Sequence, residues 1–232
     1  PSRKEQYKQM ANTNIKYLLE GDTPRLIDEW QEVPKFWDAI RVEVDHREDD
    51  GQFMLTASAV PVCTTEISHT GTGRFGWLTM RPMSLWESGE SNGKISLSSL
   101  FHSPENIEAD SSLDMKTLAF VVCRGGWPKS LLKKTDKAAL MQAKEYFKAI
   151  CNNDISRADG VMKNPERTKR LMRSYARHQG AQISNSAILA DMKTNESEDL
   201  SIDTVSSYLS ALRKIFVIED MPAWNPNLRS KT

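Results

Sequence analysis

Apolar positions in the first 60 residues alternate between helical spacing and short continuous runs. Helical spacing over residues 5–20 and 32–45 predicts two helices, the second amphipathic with a proline in its first turn. Between them, the apolar run at Leu26 and Ile27 predicts a strand, and residues 52–58 predict another. A strand, a helix and a strand in this order predict a parallel pair with a right-handed crossover. We expect the first strand to be covered on both faces, because it is apolar throughout.

The middle of the chain predicts less regular structure. The segment RFGWLTMRPM, residues 74–83, predicts a third strand, and SLWES, residues 84–88, predicts one helical turn. Residues 88–112 are rich in Ser, Gly, Asn and acidic side chains, which is typical of a loop and favours a domain boundary.

The rest of the chain has mostly helical periodicity. Gly125 and Pro128 are expected to end one helix, and the pair Asn164-Pro165 to begin another. Predicted helices cover residues 113–124, 137–152, 164–180, 184–192 and 201–215, and residues 216–224 predict a strand. Three helices followed by a β-ribbon are typical of a winged helix-turn-helix.

Charge and cysteine content narrow the function classes. The 31 basic residues balance 31 acidic ones, so no overall field favours nucleic acid, although seven basic residues and two acidic ones lie within residues 157–177. Three cysteines without a C-x-x-C pair fit structural thiols in a reducing compartment. The longest apolar run, residues 118–123, is far shorter than the roughly 20 residues that span a bilayer. We therefore expect a cytoplasmic protein without a membrane partner.

Two adjacent carboxylates, Asp28 and Glu29, follow the first predicted strand. Ligands collect at the carboxyl ends of strands in open α/β sheets, so this position suits chemistry. Successive strand side chains point to opposite faces, so one acid could hold a hydrated cation while the other reaches a water. The alternative is that both acids simply open the next helix, where acidic residues are favoured.

Other motif matches fail on their structural context. GTGRFG, residues 71–76, fits the dinucleotide fingerprint, but that motif needs a strand before it and a helix after it. GESNGKIS, residues 89–96, has one residue too few between its glycines for a phosphate-binding loop, and Ile95 stands where a hydroxyl must meet magnesium. The four histidines lie too far apart for a metal-ligand motif.

Several segments together resemble one family. RLIDEWQEVPKFWDAIR, GQFMLTASA and HTGTGRFGWLTMRPMSLWESGE are similar to bacterial and archaeal AAA-superfamily ATP-binding proteins that carry a C-terminal domain of unknown function. RGGWP and the segment from residue 204 to 232 extend the resemblance over nearly the whole chain. The resemblance implies an α/β fold class, with the C-terminal part of a parallel-sheet P-loop ATPase domain followed by a mainly helical region with a winged helix-turn-helix. The implied domains are residues 1–88, a linker and helical region at 89–160, and a winged-helix domain at 161–232.

The resemblance also implies roles for individual residues, with ATP and Mg²⁺ as cofactors. Asp28 would lie near Mg²⁺, and Glu29 would polarise the attacking water. Thr56 and Ser58, at the polar end of the second strand, would sense the γ-phosphate. Arg74 would be aimed at nucleotide, either within its own subunit or from a neighbouring one.

The sequence departs from the family pattern in two respects. Ala57 stands where related proteins usually have glycine, and its methyl group could crowd the phosphate. The phosphate-binding loop, G-x-x-x-x-G-K-[ST], is missing, and the family pattern places it upstream of Asp28. The family also continues beyond Thr232 into a nuclease-like α/β fold. We therefore expect this chain to be an inactive fragment of a full-length ATPase.

Two other function classes remain open. The first is a DNA-binding winged-helix module, although the predicted recognition helix, residues 203–215, has its only cations at the end away from usual base contacts. Arg170, Arg173 and Arg177 share one helical face that could contact phosphates weakly, or could simply be solvated. The second is a non-catalytic protein-interaction domain. The candidate partners are ATP, DNA through weak contact, and a second copy of the chain.

Overall fold

The computed structural model describes residues 3–47, 49–60, 71–105, 107–193 and 200–222. Within these ranges the strands are β1 (Arg25–Ile27) and β2 (Phe53–Leu55). The helices are α1 (Arg3–Leu19), α2 (Lys35–His46), α3 (Leu97–His102), α4 (Met115–Arg124), α5 (Pro128–Leu131), α6 (Asp136–Ala149), α7 (Ile155–Arg157), α8 (Pro165–Arg177), α9 (Asn185–Lys193) and α10 (Ile202–Lys214). A 3₁₀ turn spans Trp30–Glu32, and a π-helical segment spans Ile150–Asp154. The chain divides into two compact units, one of residues 77–150 and the other of the remaining residues.

The predicted parallel strand pair is confirmed. β1 and β2 are hydrogen-bonded in parallel, with Leu26 opposite Met54 and Ile27 opposite Leu55. α2 connects them, as the strand-helix-strand order predicts. β1 contains the predicted Leu26 and Ile27 and ends just before Asp28. β2 has three residues and is shorter than the predicted residues 52–58.

The core of this part of the chain lies on one face of the strand pair. Leu19 of α1 and Ile40 of α2 are fully buried, and Ile27, Phe53 and Leu55 pack against their cluster. The expectation of a β1 strand covered on both faces is wrong for the described residues. Leu26 is 58% exposed and its partner Met54 is 57% exposed, because α1 and α2 both pack on the opposite face.

The third predicted strand, over residues 74–83, does not form. Leu78 and Met80 are each 91% exposed, so this apolar run has no covered face. Further along, the backbone N–H of Met83 donates to the carbonyl of Gly126 across 2.8 Å. The predicted turn at residues 84–88 does form, closed by a 3.0 Å bond from the Ser88 N–H to the Ser84 carbonyl.

In the unit of residues 77–150, α4 and α5 both pack on α6. α4 ends as predicted at Gly125, which has a positive φ of 74°, and Pro128 begins α5. Arg124, at the end of α4, is 7% exposed and donates to Glu90 across 2.7 Å. This ion pair fastens the turn before Glu90 to the end of the helix.

The three helices predicted beyond residue 160 are confirmed as α8, α9 and α10. Asn164 caps α8 by accepting from the N–H groups of Glu166 and Arg167, and Ser201 caps α10 by accepting from the N–H of Thr204. α10 packs on α7, α8 and α9, and its core-facing side chains are buried. None of the described helices combines the length and apolar character that crossing a membrane requires.

The strand predicted for residues 216–224 is absent from the described part, residues 216–222. Instead, Phe216 adopts a left-handed backbone with φ 57° and ends α10. The N–H groups of Phe216 and Val217 donate to the carbonyls of Arg213 and Leu212, which is the Schellman arrangement. The apolar run is therefore used to close a helix, and residues 223 and 224 lie outside the described residues. The winged helix is not confirmed.

Candidate functional site

Backbone hydrogen bonds bring the acidic segment after β1 beside the polar segment after β2. The N–H of Thr56 donates to the carbonyl of Ile27 across 3.0 Å, and the N–H of Trp30 donates to the carbonyl of Thr56 across 3.1 Å. Both segments thus leave the sheet at its carboxyl edge, where ligands collect in α/β sheets. This edge holds four of the five residues that the sequence singles out.

Asp28 and Thr56 form the first pair. The Thr56 hydroxyl donates to Oδ1 of Asp28 across 2.5 Å. Both residues are exposed, and among the described residues no hydrogen bond reaches the second carboxylate oxygen of Asp28, Oδ2. The carboxylate and the hydroxyl supply only hard oxygen donors.

Glu29 and Ser58 form the second pair. The Ser58 hydroxyl donates to Oε2 of Glu29 across 2.8 Å. Glu29 has a left-handed backbone, with φ 56° and ψ 44°, which is uncommon for a residue other than glycine. The expectation that strand alternation separates the two acids is wrong, because the strand ends at Ile27 and Glu29 turns out of the extended conformation. Both carboxylates consequently bind hydroxyls from the segment after β2.

Two further residues of this edge were missed in the sequence. Trp30 is 6% exposed and packs on Trp37 with ring centroids 5.2 Å apart, which anchors the 3₁₀ turn behind the acids. The Gln31 side-chain amide donates to Oε2 of Glu29 and lies 3.3 Å from the Ser58 hydroxyl. Only its position two residues after Glu29 marks Gln31 in the sequence.

The structure does not bring Arg74 to the two acids. Its Nε donates to Oδ1 of Asp45 across 2.9 Å, and Arg41 also pairs with Asp45 across 3.1 Å. The hydrogen bond from Arg74 is the main reason that the pKa of Asp45 lies below its ordinary value. Asp45 is ten residues after the start of α2, about 15 Å along the helix axis from that start.

The segment around Arg74 is fixed to α2. Phe75 stacks on Trp37 with ring centroids 4.0 Å apart. Gly71 has a φ of +69°, and a Cβ there would lie 2.5 Å from the Phe75 ring and 2.8 Å from Trp37. Gly71 therefore allows the turn to approach these two rings closely.

The implied Mg²⁺ is compatible with this edge. Mg²⁺ is usually bound by one or two carboxylates together with waters and substrate phosphates, and Asp28 can fill the carboxylate role. No group of three or more His, Cys, Asp or Glu residues suited to a metal occurs in the ranges that the structure describes. Ala57, which lies between Thr56 and Ser58 in the sequence, is exposed.

The basic face of α8 is partly neutralised. Lys169 pairs with Glu166, Arg177 pairs with Asp191, and Arg170 donates to a backbone carbonyl. Arg173 is exposed. The face therefore carries less unbalanced charge than the sequence indicates.

Comparison with known proteins gives two family matches. Residues 2–88 match the model of an AAA domain, and residues 115–232 match the model of a domain of unknown function, DUF8612. No curated protein and no solved structure matches the chain. The first match makes the N-terminal region an AAA-type P-loop ATPase-like domain. Because the second match spans just over half of the chain, the protein belongs to the DUF8612 family.

Proposed function

We propose that the carboxyl edge of β1 and β2 is the hydrolytic half of a Mg²⁺-dependent ATPase site. The observation that carries this proposal is the pairing of two adjacent carboxylates with two hydroxyls two residues apart, Asp28 with Thr56 and Glu29 with Ser58. The AAA domain match over the same residues supports it. A phosphate-binding loop completes such a site, and its motif does not occur within residues 1–232.

In this proposal each acid has its own task. Asp28 would hold Mg²⁺. Glu29 orients the attacking water and accepts its proton as the water oxygen bonds to the γ-phosphorus and the bond from that phosphorus to the leaving ADP oxygen breaks. Bound Mg²⁺ supplies charge that offsets the negative charge of the phosphates. Phosphoryl transfer needs positioning and electrostatic stabilisation more than covalent help, which two carboxylates can provide.

The two hydroxyls act as the sensor of the γ-phosphate. The single hydroxyl proton of Ser58 can be donated to Glu29 or to a phosphate oxygen, but not to both at once. Arrival of the γ-phosphate would therefore release Glu29 from Ser58. The same competition applies to Thr56 and Asp28.

Arg74 acts from a neighbouring subunit in this proposal. Within the described residues of its own chain, Arg74 bonds to Asp45 and makes no contact with Glu29. Its side chain is 46% exposed, so it can leave Asp45 for the site of an adjacent copy. The exposed ion pair with Asp45 contributes little to stability, so this exchange is not costly.

The test separates binding from hydrolysis in the complete protein. Glu29→Gln should retain Mg²⁺-dependent ATP binding and lose turnover by roughly 10²-fold or more, because an amide cannot take the water proton. Asp28→Asn should weaken the Mg²⁺ dependence itself, because an amide is a poor ligand for this cation. Asp22→Asn, an exposed position without a role in the proposal, is the matched control. Equal turnover in the wild type and Glu29→Gln would refute the proposal, as would strong ATPase activity from residues 1–232 alone.

A second candidate function is weak DNA contact through α8. The exposed Arg173 favours it, although neighbouring cations are engaged by Glu166 and Asp191. Such contact would be insensitive to DNA sequence and would weaken steeply with salt. A duplex titration at low salt in which Arg173→Ala binds as well as the wild type would refute it.

A further inference from the structure

The carboxylate of Glu29 is held through only one of its oxygens. Oε2 accepts hydrogen bonds from the Ser58 hydroxyl, at 2.8 Å, and from the Gln31 amide. In the part of the chain that the structure describes, no hydrogen bond reaches Oε1. A carboxylate fixed at one oxygen and open at the other presents a proton acceptor with a defined direction.

The chain fixes the Gln31 amide in this arrangement. Gln31 is the middle residue of the 3₁₀ turn Trp30–Glu32. The Trp30 N–H donates to the carbonyl of Thr56, and the N–H of Val33, just after the turn, donates to the carbonyl of Trp30. The buried ring of Trp30 packs on Trp37 and anchors this turn.

The Gln31 carbonyl oxygen points to a role for the amide beyond packing. Oε1 of Gln31 is buried and has no hydrogen-bond partner among the described residues. An unsatisfied buried polar atom is unfavourable, because it has lost its hydrogen bonds to water and gained none in the protein. The amide is kept in this orientation by the two contacts of its NH₂ group, to Glu29 and to Ser58.

We propose that Gln31 is a positioning residue for the hydrolysis reaction, a role that rests on the proposed function. Gln31 and Ser58 together hold Oε2 of Glu29, so that Oε1 faces the water that attacks the γ-phosphate. When Ser58 turns towards a bound phosphate, Gln31 remains the donor that keeps the carboxylate in place. The water proton passes to Oε1 of Glu29 while the water oxygen bonds to the γ-phosphorus and the ADP oxygen leaves. No bond to Gln31 forms or breaks.

The test measures steady-state ATP hydrolysis by the complete protein carrying Gln31→Met, which keeps side-chain length but has no donor. We expect kcat to fall about tenfold with KM unchanged, because a hydrogen bond to a charged group has this order of effect. Gln31→Asn, which keeps the amide but is one methylene shorter, should lose activity to a similar extent. Gln9→Met, at an exposed position of α1, is the control and should match the wild type. The thermal midpoint of each variant shows whether it is folded.

A double-mutant cycle distinguishes positioning from a structural role. In the Glu29→Gln background, Gln31→Met should change the residual rate less than twofold, because the carboxylate that it positions is absent. An equal loss in both backgrounds, or unchanged kcat in folded Gln31→Met and Gln31→Asn, would overturn the positioning role while the proposed function stands. A wild-type protein without ATPase activity would overturn both.

Discussion

Lys163 and Asp159 form an ion pair in which Nζ and Oδ2 are 2.9 Å apart and the lysine side chain is only 2% exposed. The same Nζ donates to the Ser207 hydroxyl of α10 across 2.8 Å. The next residue, Asn164, donates its N–H to the Tyr208 hydroxyl across 2.8 Å. Two successive residues thus fasten the segment before α8 to one face of α10.

Removal of the lysine charge should therefore destabilise the helical part of the protein. Lys163→Met keeps most of the side-chain volume but leaves the partly buried Asp159 without its partner, which should cost about 3 kcal/mol of unfolding free energy. Lys148→Met removes a lysine from an exposed pair with Glu145 and should change stability by less than about 0.5 kcal/mol. Urea denaturation measures both values. Equal losses of stability would contradict the stabilising role of the Lys163–Asp159 pair.

The same pair predicts a pH dependence. Burial raises the pKa of Asp159, but hydrogen bonds from Lys163 and the Val161 N–H outweigh it, and the pKa lies below its ordinary value. A carboxyl with a lowered folded-state pKa stabilises the protein above its unfolded-state pKa, about 3.9, and loses this contribution as pH falls through the folded-state value. The stability difference between wild type and Asp159→Asn, from urea denaturation, should be largest at neutral pH and shrink below about pH 4. A difference independent of pH would contradict this prediction.

The left-handed backbone of Glu29 predicts an inverted order of two substitutions. Alanine and glycine both lack the carboxylate, but only glycine adopts a φ of 56° without steric cost. The free energy of unfolding of Glu29→Gly should therefore be about 1 kcal/mol higher than that of Glu29→Ala. At Lys144, an exposed position within α6, alanine should instead be about 1 kcal/mol more stable than glycine. Thermal unfolding of the four variants measures both differences. The same order of stability of the alanine and glycine variants at both positions would refute the backbone strain at Glu29.

Gly126 should not tolerate a side chain. A Cβ at this position would lie 2.3 Å from the carbonyl oxygen of Met83, a backbone atom that cannot swing away. Gly126→Ala should therefore cost roughly 2 kcal/mol, in the range of overpacked sites, and break the Met83–Gly126 hydrogen bond. Gly76→Ala, where no atom lies within 4 Å and φ is not positive, should be nearly neutral. Thermal unfolding measures both, and equal effects would contradict the close approach.

The contact between Arg74 and Asp45 predicts a measurable titration shift. Arg74→Met should raise the pKa of Asp45 towards its ordinary value, because the hydrogen bond from Arg74 is the largest cause of its lowering. Arg41→Met should raise it less, because Arg41 lowers the pKa of Asp45 less than the hydrogen bond from Arg74 does. Carboxyl carbon NMR shifts followed between pH 2 and 6, about two units either side of an ordinary aspartate, report the pKa directly. A larger rise in the pKa of Asp45 in Arg41→Met than in Arg74→Met would contradict this prediction.

Local sequence rules were sufficient for the parallel strand pair and for most helices. The apolar spacing of residues 32–45 and the capping residue Asn164 act within one or two turns, so their effects are visible in the sequence. The hydroxyls of Thr56 and Ser58 were identified through the family resemblance, and the structure places them against Asp28 and Glu29.

The parts that failed depend on contacts between distant residues or on unusual backbone. The partner of Arg74 is 29 residues away, and no local pattern indicates Asp45. Glu29 and Phe216 adopt a conformation that propensity assigns to glycine, so the turn after β1 and the end of α10 were missed. Residues 74–83 have strand-like composition, but no neighbouring strand pairs with them among the described residues.

The ring contacts of Trp30 give the protein an internal optical probe. Its indole lies against Trp37, which also stacks on Phe75. The absorption and fluorescence of the two tryptophans therefore depend on one another's orientation. The Trp30 backbone bonds to Thr56 and follows Glu29 directly, so any rearrangement of the acidic edge is transmitted to this chromophore. Near-ultraviolet circular dichroism can therefore follow events at the edge without an attached label.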